Sequence, residues 1–397
     1  MWTRSVATFA AFLLIVATPT IATPTVATAA PDGAALTPAA GTGSSGSSGD
    51  GGPANQATLN SPLGAAVAAD GTLYLSDTGN HKVRAVAPDG TISTVAGSGE
   101  APARAPQVPA GAKATEVPLS TPADLAVGAD GTLFIADPAA VRVYALAKDG
   151  TLTVRASRSS AGALSPPLGP PTGLAAGPDG TLYVADQENN RVLAVTADGT
   201  ARVAAGNGVL TVSAAGGPAT EVAVGSPNAL ATDRDGGLWI SGGLLLRRLR
   251  TGTIATVTQP AAGTWATADG AKWPPAVPPL NNVEKVGAGT DGPYIFDRRA
   301  SAVLRLGPGG TVTTVAALTG ELGQIQLAAG AAPRGPLYIV DSGHHRVYAA
   351  RVPADPAQPA PGGGAARRAW LLGGAALLLL LVVVLALALR RRRAGRP

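Results

Sequence analysis

Few residues in this 397-residue sequence are suited to chemistry: three histidines, His81, His344 and His345, and five aspartates that each close a short apolar segment, Asp77, Asp137, Asp186, Asp297 and Asp341. There is no cysteine, so a disulfide framework, a thiolate metal site and a cysteine nucleophile are excluded. Histidine beside aspartate could hold a divalent metal or act as a general base, and His81 and His345 stand at the same position after their aspartates. A reaction site is asymmetric, however, whereas these aspartates recur. A carboxylate at a strand end can accept N–H groups of its own turn and can pair with the basic residue five positions on, Asp77 with Lys82, Asp186 with Arg191 and Asp341 with Arg346. The five aspartates are therefore assigned to structure. Asn80, His81, Asn189, Asn190, His344 and His345 are left as candidate residues of a binding face, and no catalytic residue, cofactor or metal is assigned. Gly49-Asp50-Gly51-Gly52 has the glycine spacing of a calcium or phosphate loop, but it offers one carboxylate and no following lysine, which predicts a flexible connection.

The elements that position these residues form a repeat. Leu73-Tyr74-Leu75-Ser76-Asp77, Leu133-Phe134-Ile135-Ala136-Asp137, Leu182-Tyr183-Val184-Ala185-Asp186 and Leu337-Tyr338-Ile339-Val340-Asp341 are clear copies. Leu238-Trp239-Ile240-Ser241-Gly242, which lacks the Asp, and Pro293-Tyr294-Ile295-Phe296-Asp297 bring the number to six. Asp-Gly pairs precede four of these strands, and a second Asp-Gly follows 19 positions after each of the first three, at Asp89, Asp149 and Asp198. Asp-Gly between alternating segments favours hairpin turns with positive φ. Each repeat thus reads as a four-stranded meander, for example 64–68, 73–76, 82–87 and 91–95. A sheet this small cannot bury both faces alone, so the copies must pack around an axis, as in a propeller. The aromatics at the second position are expected between blades.

Ser76-Asp77-Thr78-Gly79-Asn80-His81-Lys82-Val83-Arg84, followed by Ile92-Ser93-Thr94-Val95-Ala96-Gly97, resembles the NHL repeat family. The resemblance implies an all-β, six-bladed NHL-type β-propeller over 35–352, with a framework that binds diverse ligands. Repeat four departs from the pattern in a shorter loop and in Gly242, which predicts a locally reshaped blade. The sixth repeat stops after its third strand, while 35–43 matches the fourth-strand pattern of 91–99, so the N-terminal segment is expected to supply the missing outer strand.

Arg4, an apolar run from Val6 to Ala17 and a small-residue stretch to Ala30 predict a cleaved signal peptide over 1–30. A Pro- and Gly-rich stalk is expected over 353–368, and the uncharged run 370–389 is long enough for one C-terminal transmembrane helix. The arginines of a basic tail, 390–397, then imply a single-pass type I protein of the cell membrane with its propeller outside the cytoplasm. Eight of the 30 Lys and Arg lie in these terminal segments, while all 25 Asp and Glu lie between Asp32 and Asp355, leaving 22 basic against 25 acidic residues. That balance gives no footprint for nucleic acid. The Ala-, Gly- and Arg-rich composition points to a high-GC bacterium. The function expected is an extracytoplasmic, membrane-anchored binding scaffold for a protein, peptide or glycan, with the non-repeating connections 97–119 and 256–283 as contact segments. The alternative is a lyase- or lactonase-like enzyme with a divalent metal, which would need a convergent axial cluster. The stretches 66–69, 125–127 and 174–176 offer none.

Overall fold

A computed structural model describes residues 36–352 apart from 159–165, 212, 214–215, 243–244, 258–264, 267–271, 274–282, 290–291, 299, 307–311, 319–322 and 331–334. The expected signal peptide, stalk, membrane span and basic tail lie outside the described residues. Among the described residues no helix is long and apolar enough to cross a membrane.

Six antiparallel meanders are present. Blade 1 comprises Gly64–Val67, Leu73–Asp77, Lys82–Val86 and Ile92–Ala96, and blade 2 comprises Leu125–Val127, Leu133–Asp137, Arg142–Leu146 and Leu152–Ser157. Blade 3 comprises Pro171–Ala176, Leu182–Asp186, Arg191–Val195 and Ala201–Ala205. Blade 4 comprises Pro227–Thr232, Leu238–Gly242, Leu245–Arg250 and Thr253–Val257, and a short segment, Gly217–Pro218, adds a fifth strand. Blade 5 comprises Val283–Gly287, Tyr294–Asp297, Ala302–Leu306 and Val312–Ala317. Blade 6 takes Ile325–Ala329, Leu337–Asp341 and Arg346–Ala350 from the end of the ring and Thr37–Ala40 from its beginning. First strands pack against first strands all the way round, with Gly64–Val67 meeting Ile325–Ala329, so the ring closes.

Closure follows the pairing Thr37 with Ala349, Pro38 with Tyr348 and Ala40 with Val347, as the match between 35–43 and 91–99 predicts. Inside the hairpins the aspartate of each Asp-Gly pair does more than permit the turn. Asp70 Oδ1 accepts the Thr72 N–H at 2.9 Å, and Asp130, Asp149 and Asp179 repeat the bond to Thr132, Thr151 and Thr181. These N–H donors hold the carboxyls below the usual carboxylate range.

The core lies between blades. Leu73 and Leu75 of blade 1 pack with Ala328, Val340 and Val347 of blade 6, and equivalent clusters fill each successive gap. The recurring aromatics Tyr74, Phe134, Tyr183, Trp239, Tyr294 and Tyr338 all join these clusters, as their recurrence predicts.

The connection 43–62 is not the flexible loop expected, and the first long insertion is partly repetitive. Gly41 N–H donates to Ala54 O and Ala54 N–H to Gly90 O; Gly97, Ala114 and Gly150 repeat the relay, as do Gly206, Ala219 and Gly252. Each connection thereby runs along the outer strand of the next blade. The residues that do so, Gly-Gly-Pro-Ala at 51–54 and 216–219 and Gly-Ala-Lys-Ala at 111–114, are a second repeat hidden in the connections.

Candidate functional site

First strands enter from one end of the ring, called here the upper face, which also carries the loops between second and third strands and the connections between blades. The recurring aspartates end their strands there, deeply buried. Asp77 Oδ1 accepts the Asn60 N–H at 2.7 Å, Asp137 Oδ2 the Ser120 N–H at 2.7 Å, and Asp186 Oδ1 the Gly169 N–H at 3.1 Å, always 17 positions upstream. The carboxylates therefore tie blades 1, 2 and 3 to the connections leading into them. Own-turn bonds, from the Ala140 N–H to Asp137 and from the Ala300 N–H to Asp297, are additional.

Of the three expected ion pairs, Asp186–Arg191 is present at 2.8 Å. The other two are replaced. Arg84, not Lys82, reaches Asp77, and it also holds Asp50 at 2.7 Å, so Asp50 serves as a brace within the connection. Lys82 Nζ donates to Ser47 instead, Asp341 pairs with His344 Nδ1 at 2.8 Å, and Arg346 donates to Thr42 O. Burial raises the Asp77 carboxyl above its usual value, with the Asn60 N–H, Asn80 and Arg84 opposing. In blade 4 a Cβ on Gly242 would lie 2.9 Å from Pro227 Cα, which explains the missing aspartate. The buried Arg247 of that blade donates to the carbonyls of Val224, Gly242 and Ser213.

His81 and His345 both adopt left-handed backbone, at φ 56° and 50°. Each bridges its loop to the next connection, in opposite senses. His81 Nδ1 lies 2.7 Å from Ser120 O and must carry the proton; His345 Nδ1 accepts the Ser61 N–H at 2.9 Å and must not. Asn80 donates to Gly46 O and Asp77, and Asn189 to Pro167 O and Asp186. Asn190 differs: its Oδ1 is buried without a hydrogen-bond partner, and it lines a cleft of about 370 Å³ with Pro170, Thr172, Gln187, Glu188, Leu210 and Ser226.

The axis holds the residues that the sequence did not disclose. Strand register places Gly64, Asp124, Gly173, Ala229, Lys285 and Gln326 at one level of the six first strands. Gln326 Nε2 donates to Asp124 Oδ1, and the Leu174 N–H donates to Asp124 Oδ2 at 2.7 Å, joining blades 2, 3 and 6. Burial raises the Asp124 carboxyl above its usual range, opposed by the Lys285 charge and these donors. A throat of about 130 Å³, lined by Asp124, Gln326 and the mostly small and aliphatic residues that follow this level, opens toward a wider cavity of about 610 Å³ at the lower face, lined in part by Tyr74, Lys148 and Arg234. Among the described residues no three His, Asp or Glu side chains converge on one point.

Family models match two parts of the chain, the teneurin NHL domain over residues 37–112 and the NHL repeat over 169–194. A curated protein, SUPPRESSOR OF QUENCHING 1 of Arabidopsis thaliana, is 39% identical over 83 residues, which cover 21% of this chain and 7% of that protein. An auxiliary nutrient binding protein of Bacteroides thetaiotaomicron shares 13% identity over 79% of this chain and 75% of its own, at a TM-score of 0.51. Virginiamycin B lyase of Staphylococcus aureus shares 15% over 74% and 95%, at a TM-score of 0.48. At 13% identity the likeness to the nutrient binding protein concerns the fold alone.

Proposed function

We propose that this chain, a six-bladed propeller of NHL repeats, is a binding scaffold that presents its upper face to a partner from the outer side of a membrane. One observation carries the reading. Repeated polar side chains of that face point inward and join blades to connections, while the non-repeating segment 209–211 turns Val209 and Leu210 outward at 48% and 69% exposure. Two adjacent apolar side chains held out on this loop offer a partner a contact that the inward-turned polar repeats do not. Membrane anchorage and an extracytoplasmic propeller are supported by the apolar run after Arg4 and by the apolar run 370–389 with its flanking arginines. A photo-crosslinker placed at position 210 of the full-length chain in its native cells should give discrete adducts, and one at exposed Thr153 should give none. Equal labelling at both positions would overturn the scaffold reading.

An enzymatic reading draws on Asp124, since a buried carboxyl with a shifted pKa on a propeller axis is a group that catalysis could use. About one equivalent of tightly held divalent metal in the full-length protein, lost on Asp124→Asn, would move that reading ahead.

A further inference from the structure

We infer that the upper-face cleft between blades 3 and 4 binds an extended peptide in which an aliphatic side chain neighbours a lysine or arginine; this rests on the scaffold reading above. Val209 and Leu210 stand on a braced loop. Gly206 N–H donates to Ala219 O at 2.9 Å, Asn207 Nδ2 to Glu221 O at 3.0 Å and Val209 N–H to Asn207 Oδ1 at 3.1 Å. An apolar contact presented on a fixed support costs little ordering on association. Beside it, the cleft of about 370 Å³ is within the size range of small ligand sites and accommodates a side chain with the backbone that carries it.

The cleft wall specifies the rest. Asn190 stands in the cleft wall with its Oδ1 buried and unpaired and its Nδ2 reaching Gly208 O at 3.4 Å; a shift of this side chain toward the cleft would offer Oδ1 to a peptide N–H and relieve the cost of the unpaired acceptor. Glu188 lines the cleft, Glu221 stands on the segment that braces the loop, and both are exposed. Among the described residues neither carboxylate has a cationic partner, and no lining residue is basic. A cationic side chain next to the apolar one therefore completes the charge pattern, as at interfaces with complementary potentials. Among the described residues the lining has no aromatic ring on which a sugar could stack, which favours the peptide over a glycan. A contact this small falls in the weak, transient class.

The full-length protein in lipid nanodiscs, with empty nanodiscs subtracted, tests this by fluorescence anisotropy of labelled octapeptides of alternating leucine and lysine, leucine and glutamate, or serine and lysine. The leucine–lysine peptide should bind saturably and the other two about tenfold more weakly or worse, a contrast of the size that one well-placed contact gives. Leu210→Asp should weaken it about tenfold. Glu188→Lys should weaken it and recruit the leucine–glutamate peptide, and Asn190→Gly, which keeps the left-handed backbone, should weaken it severalfold. Saturable binding unchanged by Leu210→Asp and Glu188→Lys would overturn this site. No peptide binding alongside persistent adducts at position 210 would remove the peptide class and leave the scaffold; loss of both would remove both.

Discussion

Gln326 donates its side-chain amide to Asp124 across the axis although 202 positions separate them. With the Leu174 N–H on the other oxygen, one carboxylate couples three blades at the level where the channel narrows. Such a bond is cheap only if the carboxylate is fully satisfied, because burial opposes its charge.

That opposition has a sign that can be measured. The folded-state pKa of Asp124 is raised, so its contribution is fully present below the ordinary value of 3.8 and is lost as pH rises through the raised value. Relative to wild type, Asp124→Asn should therefore gain in denaturation midpoint as pH climbs from about 4 toward neutrality, with Lys285 as the nearby charge that limits the effect. A difference between the two proteins that stays constant over that interval would refute the assignment.

Arg84 and Arg247 occupy the same slot of the third strand, opposite Leu75 and Ile240, and are both fully buried. Their partners differ. Arg84→Met would strand the buried Asp77 carboxylate and should cost about 3–5 kcal/mol. Arg247 faces carbonyls and its Nε is unpaired, so Arg247→Met should cost at least about 2 kcal/mol less. Urea titration of the full chain followed by tryptophan fluorescence would rank them, and equal losses would show that the ion pair is not what holds blade 1.

Ring closure places Ala40 against Val340 and Val347 with no exposure. Ala40→Glu forces an unpaired charge into that gap and should destabilise the whole ring by several kcal/mol. Loss of blade 6 alone, with the other five blades melting as before in hydrogen exchange, would contradict a clasp.

Membrane topology is open to a direct measurement. Protease added to intact spheroplasts should digest a tag inserted after Gly90, whereas a tag fused after Pro397 should survive until the membrane is permeabilised. The reverse pattern would invert the orientation.

The repeat was legible because hairpin chemistry is local: Asp-Gly pairs, alternating strands and the strand-two aromatics each speak within a few residues. Even closure could be seen, since 35–43 carries the pattern of a fourth strand. What escaped was set by register. Asp124 stands one residue before the bland stretch 125–127, and only strand pairing, which sets Asp124, Lys285 and Gln326 opposite Ala136, Phe296 and Val340, brings the three to one level. Arg84 escaped for a related reason. Pairing by sequence offset favoured Lys82; the two side chains share one face of the strand, but Lys82 at its half-buried start reaches Ser47 while Arg84 in its buried middle reaches Asp77 and Asp50. Leu210 gave no periodic signal, because it belongs to the part of a connection that does not repeat.

The bond between Thr37 and Ala349 spans 312 positions. At ribosomal rates of about 5–20 residues per second, the first strand of the ring exists for roughly 15–60 s before its partner is made. Through that interval it is a short strand with bare hydrogen-bonding edges beside a growing row of blades. Pro38, which lacks an N–H, and the length of only four residues make it a poor template for other chains while it waits. The same features that make this strand a modest contributor to its sheet thus guard the nascent chain until the last blade arrives.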